Sequence, residues 1–429
     1  MNATPSRVGR GNVVTTHPAG AIVPGQLQPR QAADSSKEGR TLPKAPVLGW
    51  HSMVGSRSSA FGCIADLRHR SYTTSGRAAL LAAIRQLDLP AGSVVLVPTY
   101  HCPTMVAPVL RAGMVPAYFP IGPDGLPLLD GIDATLASQA RAMCVAQYFG
   151  LPQSLLAVHD WCHERGIALI EDCAHSYIGQ AGERPIGHWG DYATASLSKF
   201  FPVPEAGLLA SAYHPLKPLG LAAPGLKAQV KAVVDVIEFA QRYDRLPVLS
   251  HLLSPLFWLK NRRRPEGTPG DSQDLASPAT DAHYMMTGCD MDRTDQAPCL
   301  SALALYGLLP LEPIVRQRRQ NYEALANGLG RQPGASLLPL SPGSEAAPYV
   351  MPLWVAGGAP RADEVYARLR AAGMPVFRWD RIWPGTPSSP DDTGALWSRQ
   401  LLQFLCHQDL LAPDIERVVS VTQHILQAV

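Results

Sequence analysis

Lys199 stands between Ser198 and the pair Phe200-Phe201, in the stretch Ser196-Leu197-Ser198-Lys199-Phe200-Phe201-Pro202. An aromatic-lined pocket strips water from an amine and weakens its preference for the charged form. That is how a lysine becomes a nucleophile near neutral pH, able to form an imine with a carbonyl. A solvated surface lysine is the plainer reading, and the two phenylalanines argue against it. Three further features have types and settings suited to chemistry. Ser75, Gly76 and Arg77 open a helical stretch, where backbone N–H groups and the helix dipole can hold a phosphate and glycine permits close approach; a capped helix start explains the triplet as well. Tyr100 closes an apolar run and can either cover a planar heterocycle or pack on the next helix. Asp172 closes a second such run, so its carboxylate needs a cation partner or serves as a cap.

Taken together, a phosphate cradle, a stacking ring, a carboxylate for a pyridinium nitrogen and an imine-forming lysine are the parts that pyridoxal phosphate (PLP) requires. They must be positioned by regular elements. The pattern predicts a helix from Ser75, then strands in the segments 93–100, 115–121, 141–150 and 167–175, with a helix over 154–166. This alternation predicts an α/β fold with a mostly parallel sheet covered on both faces, whose ligands sit at the carboxyl ends of the strands. No Gly-x-Gly-x-x-Gly follows any of these strands, which argues against a dinucleotide.

Residues 1–45 are rich in Pro, Gly, Ser, Thr, Gln and Arg and read as a disordered tail. A large domain is expected over 46–295, interrupted by an insertion at about 212–286, and a linking helix with a smaller C-terminal α/β domain over 296–429. The insertion combines an apolar helical face with Phe257, Trp258, Arg262, Arg263 and Arg264. That composition suits dimer packing, and is also compatible with peripheral membrane contact or the entrance for a hydrophobic acceptor. The 37 basic and 35 acidic residues leave a net charge of +2, which gives no field to recruit nucleic acid or an anionic membrane. Eight scattered cysteines without a Cys-x-x-Cys pair read as reduced thiols, and with no apolar leader or spanning stretch the chain is expected to be cytoplasmic.

The local sequences resemble the DegT/DnrJ/StrS family of PLP-dependent aminotransferases, from about Ser75 to the C-terminus apart from the insertion. Ser75-Gly76-Arg77 resembles the family's phosphate turn, and the run 167–175 with its Glu171-Asp172-Cys173-Ala174-His175 resembles the Glu-Asp-x-Ala-Gln/His motif. The segment 190–199 resembles the run that ends in the lysine, and 401–419 the closing segment. The resemblance implies a fold-type-I PLP enzyme, usually a homodimer. Lys199 would carry the cofactor, Asp172 would pair with the pyridine nitrogen, Tyr100 would stack on the ring and His175 would sit near the phenolic oxygen. Gly76, Arg77 and Ser196 would hold the phosphate. It also implies transamination from glutamate or glutamine to a keto acceptor, typically a keto-sugar nucleotide in polysaccharide or glycoside biosynthesis. Arg77 stands where the family usually has threonine, and Gln147 where histidine is common.

Two other constellations compete for attention. His159, Cys162 and His163 share one helical face at metal-ligand spacing, but that helix is expected to lie away from the crevice, and no metal is expected. Cys173 beside Asp172 reads as a small packing residue. A catalytically silent PLP-fold scaffold, or an aminotransferase for a non-sugar ketone, are the rival functions.

Overall fold

The computed structural model describes residues 41–55, 62–247, 282–343 and 345–429. Residues 1–40, most of the expected tail, and Phe257, Trp258 and Arg262–Arg264 of the insertion lie outside the described residues. Residues 41–429 form one compact unit.

Seven strands make the central sheet: β1 (His69–Thr73), β2 (Val94–Pro98), β3 (Val115–Phe119), β4 (Ala140–Ala146), β5 (Ala168–Asp172), β8 (Tyr192–Ser196) and β9 (Gly207–Ser211), with a small β6–β7 hairpin (Gln180–Ala181 and Arg184–Pro185) outside it. Their order is β1-β9-β8-β5-β4-β2-β3. All neighbouring pairs from β3 to β8 are parallel, and β9 runs antiparallel between β8 and β1. The apolar centres of these strands are buried on both sides: Val95, Leu96 and Val97 are wholly inaccessible, as are Ala142, Met143 and Cys144. Such burial is what a parallel sheet under helices requires. Four helices alternate with the strands: α1 (Gly76–Gln86), α2 (Pro103–Arg111), α3 (Ala134–Gln139) and α4 (Leu156–Arg165). The chain leaves β2 for β3 on one side and then crosses to β4 on the other, so the sheet reverses its direction of growth beside β2. The carboxyl ends there form the crevice of an open α/β sheet.

The expected strand over 141–150 stops at Ala146, because Phe149 adopts a left-handed conformation with φ of 62° and turns the chain out of the sheet. The long helical pattern after Cys299 is likewise two helices, Leu300–Leu308 and Glu312–Leu329. Leu309 is extended, with ψ of 128°, as the residue before Pro310 must be to avoid the proline ring.

A second sheet joins β10 (Ala335–Leu337), β11 (Val350–Val355), β13 (Leu401–Leu405) and β12 (Val376–Phe377) in that order, all antiparallel. Two contacts lock it to the first. Asp392 Oδ1 accepts from the Thr99 hydroxyl at 2.8 Å and the Ile121 N–H at 3.0 Å, at the ends of β2 and β3. At the end of β4 the Tyr349 N–H donates to the Phe149 carbonyl at 2.9 Å. Gly150 makes this approach possible: a Cβ there would lie 2.2 Å from Tyr349 N, and its φ is +78°. Residues 41–48 run along the second sheet with Leu42, Val47 and Leu48 buried. His407 Nε2 lies 3.0 Å from the Pro43 carbonyl, and the Val47 N–H donates to Asp409 at 3.0 Å. Part of the segment read as tail is therefore packed.

The described part of the insertion contains α5 (Leu226–Arg242), whose Ala240 is fully buried while Val230 and Val233 face outward.

Gly150→Ala would add both a positive-φ penalty and a backbone clash, and is expected to cost roughly 2–4 kcal/mol. Urea unfolding of the variant measures it, and a loss below about 0.5 kcal/mol would show that the two sheets do not depend on this contact.

Candidate active site

Past Ser196 the chain tightens into a 3-10 turn over Leu197–Lys199. The N–H groups of Phe200 and Phe201 both return to the Leu197 carbonyl, at 3.0 and 2.9 Å, and both rings are fully buried. Phe201 meets Tyr177 and Tyr306 edge-on with centroids 5.2 and 5.1 Å away. The aromatic pair thus anchors the turn from beneath, leaving Lys199 to project from a fixed base.

A buried arginine completes that base. Arg318, on the helix Glu312–Leu329, is wholly inaccessible. Its Nη2 donates to the Lys199 carbonyl at 2.7 Å, its Nη1 to the Pro348 carbonyl at 3.1 Å and its Nε to Gln408 Oε1 at 2.9 Å. Gln408 Nε2 in turn donates to the Phe200 carbonyl at 3.0 Å, and the guanidinium lies 4.6 Å over the Phe200 ring. These partners are neutral, so burial pushes the Arg318 pKa down to about 10, still far above neutrality. The planar fork binds the lysine turn to the second sheet in a way a lysine could not reproduce.

Lys199 Nζ sits 5.3 Å from the centroid of the Tyr349 ring, the residue placed by Gly150. Desolvation pulls its pKa below the ordinary lysine range, with Cys102 and Asp172 acting in the opposite direction. Asp172 is at the end of β5; desolvation raises its carboxyl, opposed by the Ala174 N–H at 3.0 Å, the Lys199 charge and the Thr194 hydroxyl at 3.3 Å. Alternation along β5 sends Glu171 to the other face. There it accepts from Gln147 Nε2 and the Trp189 N–H, both at 3.1 Å. The two adjacent carboxylates therefore divide into a site group and a structural one.

His175 is buried, with its ring 4.5 Å from Tyr349 and 4.8 Å from Trp379. Desolvation, then the Lys199 charge, holds its pKa well below the usual histidine range, so it is neutral at pH 7. Gly76 at the start of α1 lies against Ser196, whose Cβ would be 3.1 Å from a Cβ on residue 76. A helix N-terminus, a glycine and a serine hydroxyl thereby converge at the end of β8, a donor set that fits a phosphate. The same chain of elements brings Ser196, Asp172, His175 and Lys199 to one edge of the sheet, so the residues present fit PLP.

Three of the predicted residues are placed differently in detail. The Ser75 hydroxyl accepts from the Ala78 N–H at 3.2 Å and so caps α1. The guanidinium of Arg77 is held by Glu205 at 2.6 Å and Asp290 at 2.9 Å; these carboxylates compete with any phosphate for its charge. Tyr100 is fully buried, its hydroxyl accepting from Gln403 Nε2 at 2.9 Å. The Trp379 ring lies 5.2 Å from it at 35°, and the Trp397 ring meets it edge-on at 5.3 Å.

Arg318, Tyr349 and Trp379 had no local signal in the sequence, since each acts through partners far along the chain. On α4, Cys162 turns inward to within 3.7 Å of Met143 Sδ while His163 is exposed, so the three residues do not converge. No metal-binding cluster occurs among the described residues.

Removing the Arg318 fork strands the carbonyls of Lys199 and Pro348. Arg318→Met is expected to lose roughly 2–4 kcal/mol of stability, and Arg318→Lys to recover only part of it. Chemical denaturation of both variants checks this, and full recovery by lysine would contradict the role of the fork.

The segment 49–212 matches the DegT/DnrJ/EryC1/StrS aminotransferase family. Among curated relatives, a dTDP-4-dehydro-2,3,6-trideoxy-D-glucose 4-aminotransferase of Saccharopolyspora spinosa is 30% identical over 126 residues, 29% of this chain and 33% of that protein. An L-glutamine:scyllo-inosose aminotransferase of Streptomyces griseus is 27% identical over 190 residues, 43% of this chain and 45% of that one. The chain thus spans about a third to a half of the length of the curated relatives it matches first. The fold extends further: a putative sugar aminotransferase of Streptococcus pneumoniae in its PMP form superposes with a TM-score of 0.57 at 13% identity, covering 91% of this chain and 98% of that one. The expected PLP-transferase fold is thereby found across both sheets. The matched stretch, residues 49–212, contains the helix start, the Asp172 strand and the Lys199 turn, and over it the chain is similar to the DegT/DnrJ/EryC1/StrS aminotransferases.

Proposed function

We propose that this protein is a PLP-dependent aminotransferase that passes an amino group from glutamate or glutamine to the ketone of a keto-sugar or related cyclic polyol. One observation carries the reading: Lys199 Nζ lies 5.3 Å from the Tyr349 ring, which packs 4.5 Å from His175, and the strand that leads to this lysine runs parallel beside the strand that ends in Asp172. The relatives' names, sugar and inosose aminotransferases, support the acceptor class.

When bound, PLP supplies an electron sink that lets the amino group change carriers. The chain's own residues do the rest. Lys199 Nζ would hold the cofactor and would be the base that takes up and gives back a proton at its own nitrogen. Burial lowers its pKa, which favours the free amine that a base requires. Asp172 would pair with the pyridine nitrogen and favour its protonated form, with Ala174 and Thr194 fixing the carboxylate. The neutral His175 ring would serve the cofactor as a hydrogen-bond partner without adding charge. Gly76 and Ser196, with the first N–H groups of α1, would hold the phosphate. Tyr349 and the buried phenylalanines exclude water from the amine.

A homodimer in the cytoplasm belongs to the same proposal; no described helix is long and apolar enough to cross a membrane. The half-reaction tests the activity. Glutamine or glutamate added to the cofactor-loaded protein should abolish the visible absorption band, and an added keto-sugar should restore it. Asp172→Ala should slow the first change by at least about a hundredfold, an expectation based on the loss of an electrostatic group acting on developing charge. A band unchanged by either amino donor would favour a silent scaffold.

A further inference from the structure

The turn that follows β4 is laid against the turn that follows β5. The Gln147 N–H donates to the Asp172 carbonyl at 3.0 Å, and the Ser176 hydroxyl donates to the Gln147 carbonyl at 2.9 Å. Two residues further, the backbone N–H of Phe149 donates to His175 Nδ1 at 3.4 Å. Phe149 is held at φ of 62° and ψ of 1°, a backbone conformation that a bulky side chain avoids unless its surroundings impose it. The left-handed bend presents its N–H to His175 and its carbonyl to the Tyr349 N–H, which donates at 2.9 Å. One strained residue thus serves both the inter-sheet contact and the imidazole.

The consequence is chemical. An imidazole nitrogen that faces an N–H has to offer its lone pair, because a proton on both would set two hydrogens against each other. At 3.4 Å the bond is long and adds little energy, yet the two groups are close enough to exclude that clash. With Nδ1 an acceptor, the neutral ring carries its proton on Nε2. The ring is packed by Tyr349, with centroids 4.5 Å apart, and by Trp379 at 4.8 Å, and the residue is 4% exposed, so it is held against turning over to exchange its nitrogens. Among the described residues no acceptor meets Nε2, and a donor so placed calls for a ligand atom as its partner.

Resting on the aminotransferase reading for the identity of that ligand, we propose that Phe149 is a positioning residue: its backbone N–H fixes His175 in the Nε2-protonated tautomer, so that His175 gives the cofactor's phenolic oxygen a hydrogen bond and carries no proton itself. Nε2, already protonated, has no lone pair in the ring plane to take another. Nδ1 is turned to the Phe149 N–H. Proton movement is thereby left to Lys199.

Nitrogen NMR of the full chain, made with isotope-labelled histidine, reads the tautomer directly, with PLP bound and after its removal. The His175 signals are identified by their loss in His175→Gln or, should that variant not fold, by contacts of the ring protons with Tyr349 and Trp379. The expected result is a protonated Nε2 and an unprotonated Nδ1 in both states, with no titration between about pH 6 and 8. PLP binding is expected to move the Nε2 signal more than the Nδ1 signal. Phe149→phenyllactate, which exchanges the backbone N–H for an ester oxygen, is expected to mix the two tautomers. A proton on Nδ1, a ring that titrates in this range, a larger response at Nδ1 than at Nε2, or a tautomer indifferent to the ester would each overturn the proposal. The visible band of the loaded protein adds a second readout. A donor beside the phenolic oxygen disfavours further positive charge, so the midpoint of the band's pH titration is expected to rise in His175→Leu and to stay close to its original value in His175→Gln, which keeps a donor. A midpoint unchanged in His175→Leu would also overturn the proposal. The tautomer is read without turnover, so a failed amino-donor half-reaction would remove the aminotransferase reading while the nitrogen signals still judge the role of Phe149.

Discussion

A reactive amine has to be kept short of water and yet within reach of a substrate, and the architecture around Lys199 answers both demands. Desolvation alone would leave a flexible lysine free to swing back to solvent. Here the turn that bears it is pinned from below by two buried phenylalanine rings and from the side by the Arg318 fork on the Lys199 carbonyl. Burying an arginine without a carboxylate is costly. The three neutral acceptors and the Phe200 face offset that cost, and the result is a lysine whose backbone cannot drift.

The central sheet supplies the opposing group. Parallel strands deliver their last residues to one edge, so Asp172 at the end of β5 and Ser196 at the end of β8 arrive together with α1 beginning alongside. The second sheet is not a passive appendage. Through the contact at Gly150 it brings Tyr349 to Lys199 and His175, and through Trp379 and Gln403 it closes over Tyr100. Site and inter-sheet contact are built from the same residues, which ties the amine's environment to the docking of the two sheets.

Much of the scaffold was legible in the sequence because buried parallel strands are short β-branched runs ended by turn residues, as in 93–100 and 167–175. The ends of those runs pointed to Tyr100 and Asp172, and the phenylalanines to Lys199. The antiparallel β9 was harder to read, since its alanine, leucine and serine residues carry little strand preference. The break at Leu309 was hidden by helical periodicity on both sides. Long-range partners were invisible: nothing local to Arg77 announced Glu205 and Asp290, nothing near Tyr100 announced Trp379, and Arg318 looked like one more charge on an amphipathic helix. Such groups are set by tertiary packing, where sequence spacing is silent.

The central claim, that Lys199 is the amine around which the rest is arranged, is tested most directly by covalent mapping. The protein is loaded with PLP, reduced with borohydride, digested and its peptides weighed. The account predicts the pyridoxyl mass on the peptide containing Lys199 and its absence in Lys199→Ala. The same mass on any other lysine, or on none, would contradict it.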